Sequence, residues 1–350
     1  MPLHGYIRWS VADTRVPPPP QNPPPGGLWQ PDSGSTPSNG NYVYLLTDPE
    51  GGSSQDYLYT QATAEFLMQV SGSGIEIDVH GDERWDGRFE PMASLHQLQP
   101  GYYDLSVGSS PARGSFDWSG GSPFCGVPRG WFVVDEVTYV AAALRALDIR
   151  FERRCATGAP TMRGKIRWRY DDPTSAPGPV SPAPAGLWQP PAGVVPTSGN
   201  AFYVESEPEE FIGDGDTYLI TNVPVQDASG IDHLITNALF QGGTGIDAFY
   251  IGAQPPGESS WALHLDKMNS LPRLQPGYYA DTSPTVLGNP TRGQMDVFGR
   301  SRSCGQTGRG WFVVDAITYD AEQMTSIDVR FEYRCGALAP ALRGRVRWSQ

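Results

Sequence analysis

Two carboxylates stand where a reaction could be built. Asp135 and Asp315 hold matching places in two nearly identical runs, residues 130–139 (GWFVVDEVTY) and 310–319 (GWFVVDAITY). Each falls on the Trp-Val-Asp-Val/Ile-Tyr side of its run, and an ionised carboxylate among apolar neighbours needs a partner. A hydrolase could use such an acid, but a structural ion pair is the stronger expectation, with an arginine of a nearby GxIRW strand or a backbone amide as partner. The histidines His4, His80, His96, His233 and His264 show no HExxH spacing, and none recurs at the matching place in both copies. No GxSxG elbow, P-loop or dinucleotide glycine pattern occurs either. The expectation is therefore a non-enzyme.

Two binding chemistries remain. Asp214 and Asp216, with Glu205 close in sequence, offer the hard oxygen ligands that calcium prefers, although EF-hand spacing is absent and a solvated acidic loop is the stronger expectation. No other cofactor is expected. Ten Trp and sixteen Tyr supply many ring faces, which stack on sugars while nearby carboxylates take hydroxyl hydrogen bonds. Trp85 with Asp82 and Asp86, Trp261 with Glu258, and Tyr102 and Tyr278 are the candidate carbohydrate contacts; core packing is the competing explanation for each.

These residues must be held by strands. Each GWFVVD run is followed by an alternating stretch, residues 147–155 (LDIRFERRC) and 327–335 (IDVRFEYRC), and then by residues 163–168 (RGKIRW) and 343–348 (RGRVRW). Trp311, Cys335 and Trp348 each follow their counterparts Trp131, Cys155 and Trp168 by 180 residues, so one unit is used twice. Apolar residues at every second place, with Asp148, Arg150, Glu152 and Arg154 between them, predict a half-buried strand. The GWFVVD run is expected to pair with it as a hairpin, Tyr139 opposite Leu147 and Cys155 opposite Trp131. Paired segments 41–45 and 201–205, 57–60 and 218–221, and LQPGYY at 98–103 and 274–279 continue the parallel.

With 41 Gly, 34 Pro and few long apolar runs, the chain reads as all-β: two tandem homologous β-sandwich domains of jelly-roll type, joined by Pro-rich linkers. The expected divisions are an N-terminal GYIRW strand and Pro-rich spacer (1–25), a first repeat (26–168), a Pro-rich linker (169–185) and a second repeat (186–350). The Pro-rich stretches should be extended and packed along the domain surface.

Four cysteines divide evenly, and one bridge per repeat is expected, Cys125 with Cys155 and Cys304 with Cys335. Bridges imply an oxidising compartment. No signal peptide or membrane span is legible in MPLHGYIRWS, so export would need a leader outside these residues or another route. A formal net charge of −13 opposes attraction to nucleic acid and anionic membranes.

Taken together, GLWQP, the GNYVY-like strand, LQPGYY, RG-x-x-D, Cys-x4-GWFVVD, the IDLRFE-x-x-C ending and ALRG-x-IRW resemble a bacterial repeat family found in predicted secreted proteins, often in tandem. The resemblance spans nearly the whole chain. It implies extracellular placement and tandem β-domains, and supplies no catalytic residues to carry over. Where the family pattern has an FEQHCEG-like ending, this chain has Phe151-Glu152-Arg153-Arg154-Cys155 and Phe331-Glu332-Tyr333-Arg334-Cys335, so a histidine role there is absent. The functional expectation is an extracellular or cell-surface protein that binds carbohydrate or another protein surface. The alternative is a structural subunit of a layer or fibre that self-associates head to tail through terminal GxIRW strands.

Overall fold

Apolar and charged residues alternate along residues 147–152 and 327–332, and these lie in strands 143–154 and 323–334 at inner positions of their sheets. A computed structural model describes residues 19–48, 54–105, 112–120, 129–154, 161–221, 235–236, 248–253, 260–282, 284, 288–321 and 323–349, with the backbone alone for 235–236, 248–253 and 323. Every long element among these is a β-strand, and the sheets are antiparallel. The chain forms two compact units, Met1–Thr60 with Phe66–Asp78 and Trp85–Pro173, and Gln61–Glu65 with Val79–Arg84 and Thr174–Gln350.

The first ten strands are β1 (Tyr42–Asp48), β2 (Gln55–Thr60), β3 (Glu65–Ser71), β4 (Gly74–His80), β5 (Arg84–Glu90), β6 (Gly101–Asp104), β7 (Ser115–Ser119), β8 (Arg129–Val140), β9 (Ala143–Arg154) and β10 (Thr161–Arg169). They make a six-stranded sheet in the order β2-β1-β10-β9-β8-β6 and a four-stranded sheet β3-β4-β5-β7. Rings join the two layers: Phe89 and Phe116 lie 5.6 and 5.1 Å from Phe151, and Phe89 lies 5.4 Å from Phe132. The arrangement is sandwich-like, with the core between the sheets.

The remaining strands are β11 (Ala201–Ser206), β12 (Thr217–Thr221), β13 (Ile235–Thr236), β14 (Ala248–Ala253), β15 (Trp261–Asp266), β16 (Gly277–Thr282), β17 (Gln294–Gly299), β18 (Arg302–Ser303), β19 (Arg309–Asp320), β20 (Gln323–Arg334) and β21 (Ala341–Ser349). A six-stranded sheet β12-β11-β21-β20-β19-β16 repeats the first order strand for strand, beside a five-stranded sheet β13-β14-β15-β17-β18. Phe202, Trp261, Met295, Phe312, Phe331 and Tyr333 belong to one buried cluster here.

The hairpin register differs from the sequence expectation. Leu147 faces Val137, Tyr139 faces Leu144, and Trp131 faces Glu152. The β8 and β9 strands are joined by Ala141 and Ala142 alone, both at positive φ (49° and 67°), the two-residue turn whose twist suits a hairpin. An extra residue in β8 (Asp135, between Val134 and Glu136) and an extra residue in β9 (Arg145, opposite the step from Thr138 to Tyr139) offset each other, and the same two shifts occur between β19 and β20.

Where described, each Pro-rich stretch touches the end strand of its sheet. Gln21 and Val180 form isolated antiparallel bridges with Tyr102 and Tyr278, on the outermost strands β6 and β16. Strands that end a sheet invite further pairing, and a proline-rich strap closes that side without continuing the ladder. The strap explains the glycine of LQPGYY: a Cβ on Gly101 or Gly277 would stand 2.9 Å from Pro20 or Pro179, and both glycines have φ near +140°.

Candidate functional site

The outward face of each six-stranded sheet carries a duplicated polar network beneath its strap. The register shift after Val134 turns Asp135 outward, where Arg150 Nε lies 3.2 Å and Lys165 Nζ 2.8 Å from its Oδ2. Lys165 also pairs with Asp148. The second unit has Arg330 Nε 3.0 Å from Asp315, and Arg345 grips Asp328 with two hydrogen bonds of 2.9 Å. The partner of each Asp is thus mainly the arginine of the alternating strand rather than that of GxIRW, because the register shift brings it alongside. One row further, Arg163 joins Glu152 to Asp48 at 2.9 Å each, and Arg343 joins Glu332 to Glu207 at 2.7 Å each. Burial works to strip Lys165 of its proton, but the Asp148 and Asp135 carboxylates outweigh it and raise the pKa. This geometry is that of a structural ion-pair lattice, with Asp135 and Asp315 as members.

The arginines also hold the strap. Arg150 Nη1 donates to the carbonyl of Trp29 at 3.1 Å, and Arg330 Nη1 to that of Trp188 at 3.0 Å. Trp188 stacks on Tyr203, centroids 6.4 Å apart and planes within 3°, and its Nε1 donates to Glu205 at 2.7 Å. Tyr203 donates to the other Glu205 oxygen at 2.7 Å, and burial first, then that carboxylate, pushes the phenol pKa up. Sequence reasoning missed this use of GLWQP because it joins segments through folding alone.

The aromatic candidates separate into two groups. Trp85 is 2 % exposed and Trp261 fully buried, so neither offers a face to a sugar; this corrects the sequence expectation. Trp85 Nε1 donates to the Tyr59 hydroxyl at 2.9 Å, while Trp261 packs beside Phe202 and Tyr218 and over Gly299. The alternation Trp85-Gly87-Phe89 and Trp261-Leu263-Leu265 was the available signal for both. Asp82 meets Arg292 at 2.8 Å, Asp86 accepts from Ser119 at 2.6 Å, and Glu258 lies outside the described residues. Tyr102 and Tyr278 are half-buried. Tyr102 stacks beside Trp131 at 6.5 Å, whereas Tyr278 lies tilted by 49° against Trp311 at 6.0 Å. Burial, then nearby Asp104 and Asp281 respectively, raises the two phenol pKa values. Tyr170, which sequence reasoning passed over, is 65 % exposed with Arg145 4.1 Å above its ring.

The calcium candidates do not converge. Asp214 and Asp216 lie 3.6 and 3.3 Å from Arg300, and Glu205 is occupied by Trp188 and Tyr203. Among the described residues, no three His, Cys, Asp or Glu side chains gather in a way that could hold a metal ion. His80 lies 3.6 Å from Glu65 and His264 3.4 Å from Asp266, whereas His4 and His233 fall outside the described residues.

Cys304 and Cys335 form a disulfide, with Cα atoms 4.8 Å apart. That bond is compatible with an extracellular protein. Cys125 and Cys155, like residues 4–9, lie outside the described residues. No described helix is long and apolar enough to cross a membrane. No protein-family model matches the chain, and no curated protein or solved structure resembles it significantly.

Proposed function

We propose that the chain is a non-enzymatic protein of the extracellular space or cell surface, made of tandem jelly-roll-type sandwiches from a secreted repeat family, and that it attaches to carbohydrate. The observation that carries this reading is the duplicated pair of rings, Tyr102 with Trp131 and Tyr278 with Trp311. In each, a half-buried tyrosine beside a carboxylate combines a stacking face with a hydroxyl acceptor. Polysaccharide pull-down and a glycan array on the full chain test it, followed by titration of Tyr102→Ala and Tyr278→Ala. Each substitution should weaken binding and the pair should abolish it. Absence of any bound polysaccharide at millimolar concentration would sink the proposal.

A structural subunit is the second reading, favoured by the outermost strands β2 and β12. Leu58 and Leu219 project from them at matching places, 44 and 46 % exposed. The GxIRW strands β10 and β21 already fill inner positions of their own sheets, so a donated strand from residues 4–9 would add at an edge. Sedimentation of the full chain against one lacking residues 1–9 separates the readings: assembly should vanish on truncation, and unchanged assembly excludes strand donation.

A further inference from the structure

Three side chains from three neighbouring strands meet on the first unit's outer face: Asp135 of β8, Asp148 of β9 and Lys165 of β10. Lys165 stands opposite Arg150 and Asp148 opposite Arg167, so Lys165 and Asp148 are diagonal neighbours across one ladder. Lys165 Nζ pairs with Asp148 Oδ1 and lies 2.8 Å from Asp135 Oδ2. The lysine and Asp148 side chains are 15 and 19 % exposed. Arg150, held by the Trp29 carbonyl, donates to the same Asp135 oxygen and helps fix it.

Lysine is rare in this chain. Lys165 and Lys267 are the only two among 25 basic residues. At the place matching Lys165 the second unit has Arg345, which chelates Asp328. A guanidinium does not lose its proton in a protein, whereas a desolvated lysine serves as a nucleophile.

We infer that Lys165 and Asp148 join in an isopeptide bond that the folded protein forms by itself, with Asp135 carrying the protons. Asp135 takes a proton from the Lys165 ammonium and hands it to an Asp148 oxygen, and the neutral Nζ attacks Cγ of the carboxylic acid so formed. A second proton leaves the nitrogen as the tetrahedral adduct collapses. Both protons depart on the former Asp148 oxygen as water, so an ammonium and a carboxylate become an amide and water with no oxidant or cofactor. The ion pair favours the ammonium at rest, and a bond that does not revert drains the small neutral population. Fixed proximity of the reacting groups is what makes the step accessible.

Mass spectrometry of the reduced, unfolded full chain tests this directly. The expected mass is one water below that of the sequence with all cysteines as thiols. Trypsin should leave Lys165 uncleaved and yield one branched peptide joining residues 146–150 (ALDIR) to 164–167 (GKIR). Lys165→Arg, the second unit's own solution, should restore the full mass, and Asp135→Asn should leave most chains unlinked. Full sequence mass with cleavage after Lys165 overturns the inference, as does a water loss mapped elsewhere. Undiminished linkage in Asp135→Asn overturns its assignment as proton carrier. The wild-type reading depends on no variant folding.

Discussion

The ring of Phe151 lies over Gly164, its cross-strand partner, so that a Cβ on that glycine would fall 2.3 Å from the ring. Phe331 covers Gly344 in the same way at 2.4 Å. The glycine of RG-x-IRW is thus a seat for the phenylalanine of the alternating strand, which completes the core between the sheets. Gly164→Ala and Gly344→Ala should each lower stability by about 1–3 kcal/mol, the usual cost of overfilling a packed interior. Urea unfolding of each variant measures it, and a midpoint equal to wild type would show that the ring is not confined there.

Arg150 and Arg330 each bind a carboxylate and a strap carbonyl at once, so truncation should be felt in two places. Arg150→Ala leaves Asp135 with Lys165 alone and frees the Trp29 carbonyl. A loss of about 1–2 kcal/mol is expected, since the arginine is buried but the Asp135 carboxylate is one-third exposed and partly screened. The strap should also become open to proteases, because the arginine contact anchors it to the face. Limited proteolysis around residues 19–30, compared between wild type and variant, reads this separately from global unfolding. Asp135→Asn should likewise cost stability, unlike a substitution that removes only a catalytic acid.

Much of this architecture was legible because burial imposes a strict period on a strand. Residues 327–335 announced β20, and the GxIRW segments announced β10 and β21. The hairpin register was not legible, since Ala141-Ala142 has none of the glycine or asparagine that usually marks a two-residue turn, and bulges leave no reliable local signature. Trp85 and Trp261 were misplaced by weighing ring abundance above the alternation around them. The straps and Glu205 depend on contacts between segments distant in sequence, where local pattern carries no information.

Glu207 gives the second unit a pH-sensitive contact. Its Oε2 accepts from the Ala341 amide at 2.8 Å and its Oε1 meets Arg343 at 2.7 Å. The amide first, and then Arg343, hold its pKa below the ordinary carboxylate value despite an opposing effect of burial. A depressed folded-state pKa contributes stability that is present above the unfolded-state pKa and is lost as pH falls through the folded value. Glu207→Gln should therefore reduce stability at neutral pH and flatten the acid limb of the stability curve. The neutral-pH loss should be about 1 kcal/mol at most, since the carboxylate is 36 % exposed and solvent screens it. Denaturant midpoints at successive acidic pH values measure it; parallel curves for wild type and variant would exclude the linkage.

The β8–β9 turn offers a gain rather than a loss. Ala141 and Ala142 both sit in the left-handed region, where a Cβ crowds the following carbonyl and costs roughly 1 kcal/mol per residue. Asparagine and glycine accept that geometry, and their pair is the preferred filling of such a turn. Ala141→Asn combined with Ala142→Gly should therefore stabilise the protein by about 1 kcal/mol, after glycine's extra freedom in the unfolded chain offsets part of the relief. The melting temperature should rise while the hairpin register stays as it is. A fall would mean that the alanines make contacts outweighing their backbone strain, and that the turn is positioned by the sheet rather than by its own residues.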